Sequence, residues 1–533
     1  MHFIDLSIFI IYMIVMLGVG FFFLRKNEGA DDYYVGGRDM GSLHIGLSVV
    51  ATDVGGGFSI GLGGLGFMIG ISGAWMLFTG LIGAWLSAVL LIPKVKNNPA
   101  FKNFYTFPEI FKSLYNPKVA LMAGIISAIG YTGFTASQIL AGAKLASGTF
   151  AGLNLETALL IMGAIAVAYT VMGGIKAVIY TDTIQWIILM AGLIFIGIPV
   201  SYFAVGGWDA ITATLRPEFL SMTNVTWQDL VNWGITIIPI WFVGMTLYQR
   251  IYACKDEKTA KKAWYYAGLL EFPVMAFMGV ALGLIARVAA DQGMFDYLGA
   301  QNISATDPEQ GLPMLLRTVL PVGLMGLMMS AYFSAILSTA DSCLMASSGN
   351  VVSDIIGHFK KMDTNSKKFF RLSQIMTLVI GILALLLASA MTNVLDLMLA
   401  SYAFMVSGLT IPLLGGLFWK KKNPIAAASA MIVGGTTTFL LQWNNVNLSQ
   451  TLSRETILNK FNLMKDSAVN FTGIDPEALT KIQLAEIINS EQLINLFGFY
   501  FKLPFGLDPN IFGISASAVV FFGLTFIFQK IKD

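Results

Sequence analysis

The chain is 533 residues long, 56% hydrophobic and only 12% charged, with a formal net charge of +2. Its charge is about half the ~25% of an ordinary soluble domain, and its repeated apolar runs of roughly 20 residues are each long enough to cross about 30 Å of hydrocarbon. This excludes a soluble globular domain and a nucleic-acid binder, while two cysteines, Cys254 and Cys343, exclude a disulfide framework.

Thirteen apolar spans are predicted, near residues 4–24, 42–69, 74–93, 119–147, 155–173, 177–204, 228–250, 264–288, 322–355, 372–391, 395–419, 424–442 and 510–530. The first lacks a basic leader and a small-residue cleavage site, so it reads as a retained span rather than a signal peptide. Basic residues gather in alternate connections: Arg25 and Lys26; Lys94, Lys96 and Lys102; Lys176; Arg250 with Lys255 to Lys262; Lys360 to Arg371; Lys420 to Lys422. The positive-inside rule then places the N-terminus outside and the C-terminus, with Lys530 and Lys532, in the cytoplasm of a cell with this multi-pass protein in its plasma or inner membrane.

The second span, GLSVVATDVGGGFSIGLGGLGFMIG, sets Asp53 beside Gly55, Gly56 and Gly57. Each glycine weakens a helix by about 1 kcal/mol relative to alanine, so a break is predicted here. Backbone carbonyls freed at such a break are tolerated in a membrane only where they line a cavity or are buried, and there they can coordinate a cation. The alternative is an unbroken small-residue packing face, which does not call for a carboxylate. The span from 228 carries Pro239, Trp241 and Gly244, which permit a second interruption. Glu271, ahead of Pro273 in the next span, is an intramembrane acid that either contacts solute or pairs with a neighbouring helix.

The ninth span contains SAILSTADSCLMASS, in which Ser338, Asp341 and Ser342 share a helical face, with Ala335 a turn below and Thr339 beside them. Hydroxyls and carboxylate are hard oxygens of the kind that replace the hydration shell of an alkali cation, whereas imidazole and thiolate suit softer metals. The competing reading is that Ser and Thr here only knit helices together through bonds to carbonyls four residues back. His2, His44 and His358 sit near water, and no nucleophile–base arrangement or metal spacing points to a membrane enzyme. Between the last two spans, SRETILNKFNLMK and PEALTKIQLAEIINSEQL are helix-like polar stretches, predicted to form an external cap.

Five segments resemble the sodium/solute symporter family of proline, pantothenate, sugar and choline carriers: DYYVGGR at 32–38, ATDVGGG at 51–57, ASQILAGAKL at 136–145, GGIKAVIYTDTIQ at 173–185 and LSTADSCLMASS at 337–348. The resemblance implies an all-α membrane protein of leucine-transporter type, with two inverted five-helix repeats and about 13 transmembrane helices. The chain then divides into an extra helix and cytoplasmic loop (1–41), a ten-helix transporter core (42–419), a further helix (420–442), an extracytoplasmic segment (443–509) and a last helix (510–533). It implies alternating access, with sodium and a small solute carried together across the lipid bilayer.

Transferred to this chain, the resemblance puts a principal sodium site at the carbonyls of Ala51, Val54 and Ala335 and the hydroxyls of Ser338 and Thr339. A second sodium site would join Asp182 and Ser338 to Asp341 and Ser342. Asp341 replaces a serine of some members, which strengthens that site or makes it proton-sensitive. The implied solute pocket is lined by Asp53, Gly55, Gly56, Phe134, Trp241, Glu271, Tyr402 and Ser407. Choline-type relatives have a tryptophan at the position of Asp53, and the span from Ala74 to Leu91 lacks the amides and carboxylates a sugar needs. An amino acid or similar zwitterion is therefore expected, with sugar, vitamin and choline- or betaine-like solutes as alternatives. A transporter-like sensor is disfavoured, since only about three residues follow the last span.

Overall fold

A computed structural model describes residues 2–26, 35–53, 55–150, 152–173, 175–300, 306–360, 366–444, 458–460, 462, 493–496 and 499–530. The helices are α1 (Phe3–Lys26), α2 (Ser42–Asp53), α3 (Gly55–Ile69), α4 (Trp75–Leu86), α5 (Pro117–Thr149), α6 (Leu155–Gly173), α7 (Ile175–Gly192), α8 (Trp227–Val243), α9 (Met245–Ala253), α10 (Glu257–Leu269), α11 (Ala276–Asp291), α12 (Pro308–Val319), α13 (Leu324–Gly349), α14 (Lys367–Ser389), α15 (Val394–Phe418), α16 (Pro424–Trp443) and α17 (Pro509–Lys530). Helix occupies every predicted segment. Among the described residues nine helices are long and apolar enough to cross a membrane, or ten if the bent pair α8–α9 is one span.

Local chemistry sets where these helices begin. α5 starts where the Asn116 side chain accepts the Val119 N–H at 2.9 Å, with Pro117 in the first turn, where its missing N–H costs nothing. α8 starts on a capping box in which Thr226 and Asp229 satisfy each other's backbone N–H groups.

The predicted break is present. α2 ends at Asp53 and α3 begins at Gly55, whose φ of +45° is open to glycine and strained for other residues. A second break separates α8 from α9 at Gly244, which is extended (ψ 115°) and bends the pair by 42°. The path from α10 to α11 is interrupted at Phe272, which adopts extended angles (φ −134°, ψ 124°) as a residue before proline favours.

α13 is buried along nearly its whole length and runs past the first break. It packs on α5, α7 and both halves of the broken helix. α2 also lies on α7 and α10, whereas α3 lies on α11 and α12. On the α3 side, Lys144 of α5 stands 2.6 Å from Glu309 and 2.8 Å from Asp307, at the start of α12. Glu309 also accepts the N–H groups of Val394 and Leu395 at the start of α15, so one buried ion cluster ties three helices together.

Of the segment 443–509, the structure describes an antiparallel hairpin pairing β1 (Leu493–Leu496) with β2 (Phe499–Lys502). Apart from residues 458–460 and 462, its helix-like stretches lie outside the described residues, as does the Asp32–Tyr34 end of the first family segment.

Candidate functional site

The break leaves the last carbonyls of α2 without intrahelical partners. One of them, Ala51 O, accepts a hydrogen bond from Thr339 Oγ1 of α13 at 2.9 Å, and the same hydroxyl lies 3.1 Å from Ala335 O. Two carbonyls and one hydroxyl thus converge across two elements, all hard oxygens. Gly55 lies against this junction so closely that a Cβ there would stand 3.1 Å from both Cβ and Cγ2 of Thr339. Val54, whose carbonyl the family pattern includes, lies outside the described residues.

Ser338 departs from the expected principal set. Its hydroxyl donates to Asp182 Oδ1 of α7 instead of joining the Ala51 junction, because a buried carboxylate is the stronger acceptor. The expected second set also divides. Asp182 and Ser342 face the Arg250 guanidinium, whereas Asp341 turns to α6, where Thr170 donates to its Oδ1. Asp341 and Ser342 are adjacent and so diverge by about 100° around the helix, enough to point at different neighbours. Arg250 itself is fully buried, against its expected place among the inner basic loops. Among the described residues no group of three or more His, Cys, Asp and Glu side chains is placed to hold a metal ion.

Of the residues expected to line the solute pocket, Asp53 and Gly55 adjoin the junction directly. Asp53 ends α2 and is 5% exposed, with the Tyr402 hydroxyl donating to its Oδ1 at 3.4 Å. Phe134 meets the Tyr402 ring edge-on with centroids 4.8 Å apart. Glu271 is fully buried against Gly80 of α4, and among the described residues neither of its oxygens has a hydrogen-bond partner. Trp241 packs on Gly83 of α4 and edge-on against Trp264. Gly55 and Gly56 form the first turn of α3.

Ser407 does not join them. Its hydroxyl donates to Phe404 O at 3.1 Å, and Gly434 of α16 and Gly513 of α17 abut it so tightly that a Cβ at either would collide with it. Five residues from Tyr402, it lies about 140° around α15 and faces the peripheral helices.

Sequence reasoning missed Gln138. Its Oε1 accepts the Gly57 N–H at 3.1 Å, capturing a donor left free at the start of α3. Its place in the ASQILAGAKL segment was the available signal. Thr52, inside ATDVGGG, carried the same signal, whereas Ser48 and Thr170 lie outside the five segments.

The sodium:solute symporter family profile matches residues 33–434. The high-affinity proline transporter PutP of Bacillus subtilis (strain 168) is 28% identical over 450 residues, covering 82% of this chain and 91% of that protein. The osmoregulated proline transporter OpuE of the same organism is 27% identical, covering 83% and 89%. A sodium/proline symporter of Staphylococcus aureus (strain JH9) is 25% identical, covering 80% and 83%. The fold is similar to the substrate-bound outward-open state of a Na+-coupled sialic acid symporter, with a TM-score of 0.68 and 22% identity over 83% of this chain and 92% of that one.

Proposed function

The chain belongs to the sodium:solute symporter family, and has its leucine-transporter-type helical membrane fold; on that premise we propose that its solute is a small zwitterionic amino acid of about the size of proline. The observation that carries this reading is the broken helix itself, with Asp53 and its Tyr402 partner at the end of α2 and the start of α3 beyond the break. The C-terminal end of α2 carries partial negative charge and is reinforced by the Asp53 carboxylate, so it suits an ammonium group. The N-terminal end of α3 carries partial positive charge and suits a carboxylate. Phe134 and Tyr402 supply an aromatic wall for a compact apolar body between them. The names of the proline-transporting relatives agree with this choice over a sugar, vitamin or choline-like solute.

Sodium binds at the meeting of the Ala51 and Ala335 carbonyls with the Thr339 hydroxyl, and alternating access carries ion and solute inward together. The two broken helices, α2–α3 and α8–α9, are the first and sixth of the core from 42 to 419, the spacing that two inverted five-helix repeats require. The alternating basic connections support an outside N-terminus and a cytoplasmic C-terminus, with the segment 443–509 external.

Uptake of labelled L-proline into proteoliposomes tests this reading. Uptake is expected to need an inward sodium gradient and to collapse with a sodium ionophore; uptake unchanged when choline replaces sodium would refute it. Asp53→Asn keeps an acceptor for Tyr402 but removes the charge. It should raise the half-saturating solute concentration about tenfold, for a lost charge-assisted interaction of about 1.5 kcal/mol. An unchanged value would place the ammonium elsewhere.

A further inference from the structure

Arg250, in α9 just past the Gly244 break, is fully buried. Its Nε donates to Ser48 Oγ at 3.1 Å and its Nη1 to Thr246 O at 3.2 Å. Its Nη2 donates to Thr52 Oγ1 at 2.6 Å and to Ser342 Oγ at 3.0 Å, and lies 3.5 Å from Asp182 Oδ2. Ser48 and Thr52 are one turn apart on α2, so the guanidinium reaches across α2, α7 and α13 at once.

Two of the groups around this arginine, Asp182 and Ser342, belong to the set expected to hold a second sodium ion. Ser342 is used directly. Asp182 is saturated from both sides, with Ser338 donating to Oδ1 and Ser48 donating to Oδ2 at 2.6 Å. Asp341, the remaining member of the expected set, is turned away to Thr170. A guanidinium stays protonated at any physiological pH and presents its donors in a rigid planar fork. A sodium ion entering here would have to displace those donors and tolerate a fixed like charge at contact distance, in a site where Arg250 and Asp182 are both fully buried and solvent screening is weak.

We infer that Arg250 is the built-in cation of this cluster, so that the carrier binds a single sodium ion, at the junction of Ala51, Ala335 and Thr339. The assignment rests on the sodium-coupled reading above and adds its stoichiometry. The positive charge at Asp182 then stays with the protein through the transport cycle and is not released with the solute.

The test is equilibrium binding of radioactive sodium to the purified full-length chain in lipid nanodiscs, with no solute present. The wild type should saturate at one ion per chain. Arg250→Gln, which frees Asp182 and Ser342, should double the capacity to two, whereas Arg250→Lys, which keeps a cation there, should hold it at one. Two ions in the wild type, or a folded Arg250→Gln protein that still binds one, overturns the assignment. Should Arg250→Gln fail to fold, the wild-type count decides alone. No sodium bound by the wild type would instead defeat the sodium-coupled reading itself, and this assignment with it.

Discussion

Gly55→Ala should abolish measurable sodium-driven uptake while the chain still inserts and purifies as a monodisperse protein. Two separate costs fall on this residue. Its φ of +45° is strained for any residue with a Cβ, by about 1–2 kcal/mol. The added methyl would also press on the Thr339 side chain, and overpacking of this kind costs about 1–3 kcal/mol. Because Thr339 is itself a member of the junction, relief by moving it displaces a proposed ion ligand. Together about 2–5 kcal/mol at the site corresponds to a loss of roughly 30- to 4,000-fold in sodium affinity. Sodium titrations of solute uptake and of intrinsic fluorescence check this. A Gly55→Ala protein with wild-type sodium dependence would mean that the break is not part of the ion site.

Thr339→Ala removes the one side-chain oxygen that contacts both carbonyls of the junction. A hydrogen bond or ligand to a charged group contributes about 1.5–3 kcal/mol, so the half-saturating sodium concentration should rise about 10- to 150-fold, with a smaller effect on maximal rate at saturating sodium. Thr339→Ser keeps the oxygen and should stay within a few-fold of the wild type. That contrast separates lost ligation from lost packing, since Ser removes the same methyl as Ala does. If Ser and Ala are equally impaired, the hydroxyl is not the working group.

The broken helix was legible because three consecutive glycines beside an acid in an apolar run conflict with a continuous span. The second break was legible at Gly244 for a related reason. The angular grouping of Ser338, Asp341 and Ser342 was also readable from helical period, but their partners were not. Period fixes which way a side chain leaves its own helix, and it carries no information about which helix waits there. Asp341 therefore went to Thr170, and Ser338 to Asp182.

Arg250 was hidden for a complementary reason. A cation at the end of an apolar segment reads as an inner-loop charge, and its burial depends on Ser48, Thr52, Asp182 and Ser342, which approach it only through the fold. Ser407 shows the opposite failure. The family resemblance implied it as pocket lining, yet close glycine contacts from α16 and α17 claim that face of the helix.

One sodium ion is proposed to join the broken end of α2 to α13. Paired cryo-electron microscopy maps of the wild type, in sodium and in a salt of a large organic cation, test it most directly. Difference density is expected among Ala51 O, Ala335 O and Thr339 Oγ1 in sodium alone. Identical maps at that junction, with sodium-dependent density elsewhere, would contradict it.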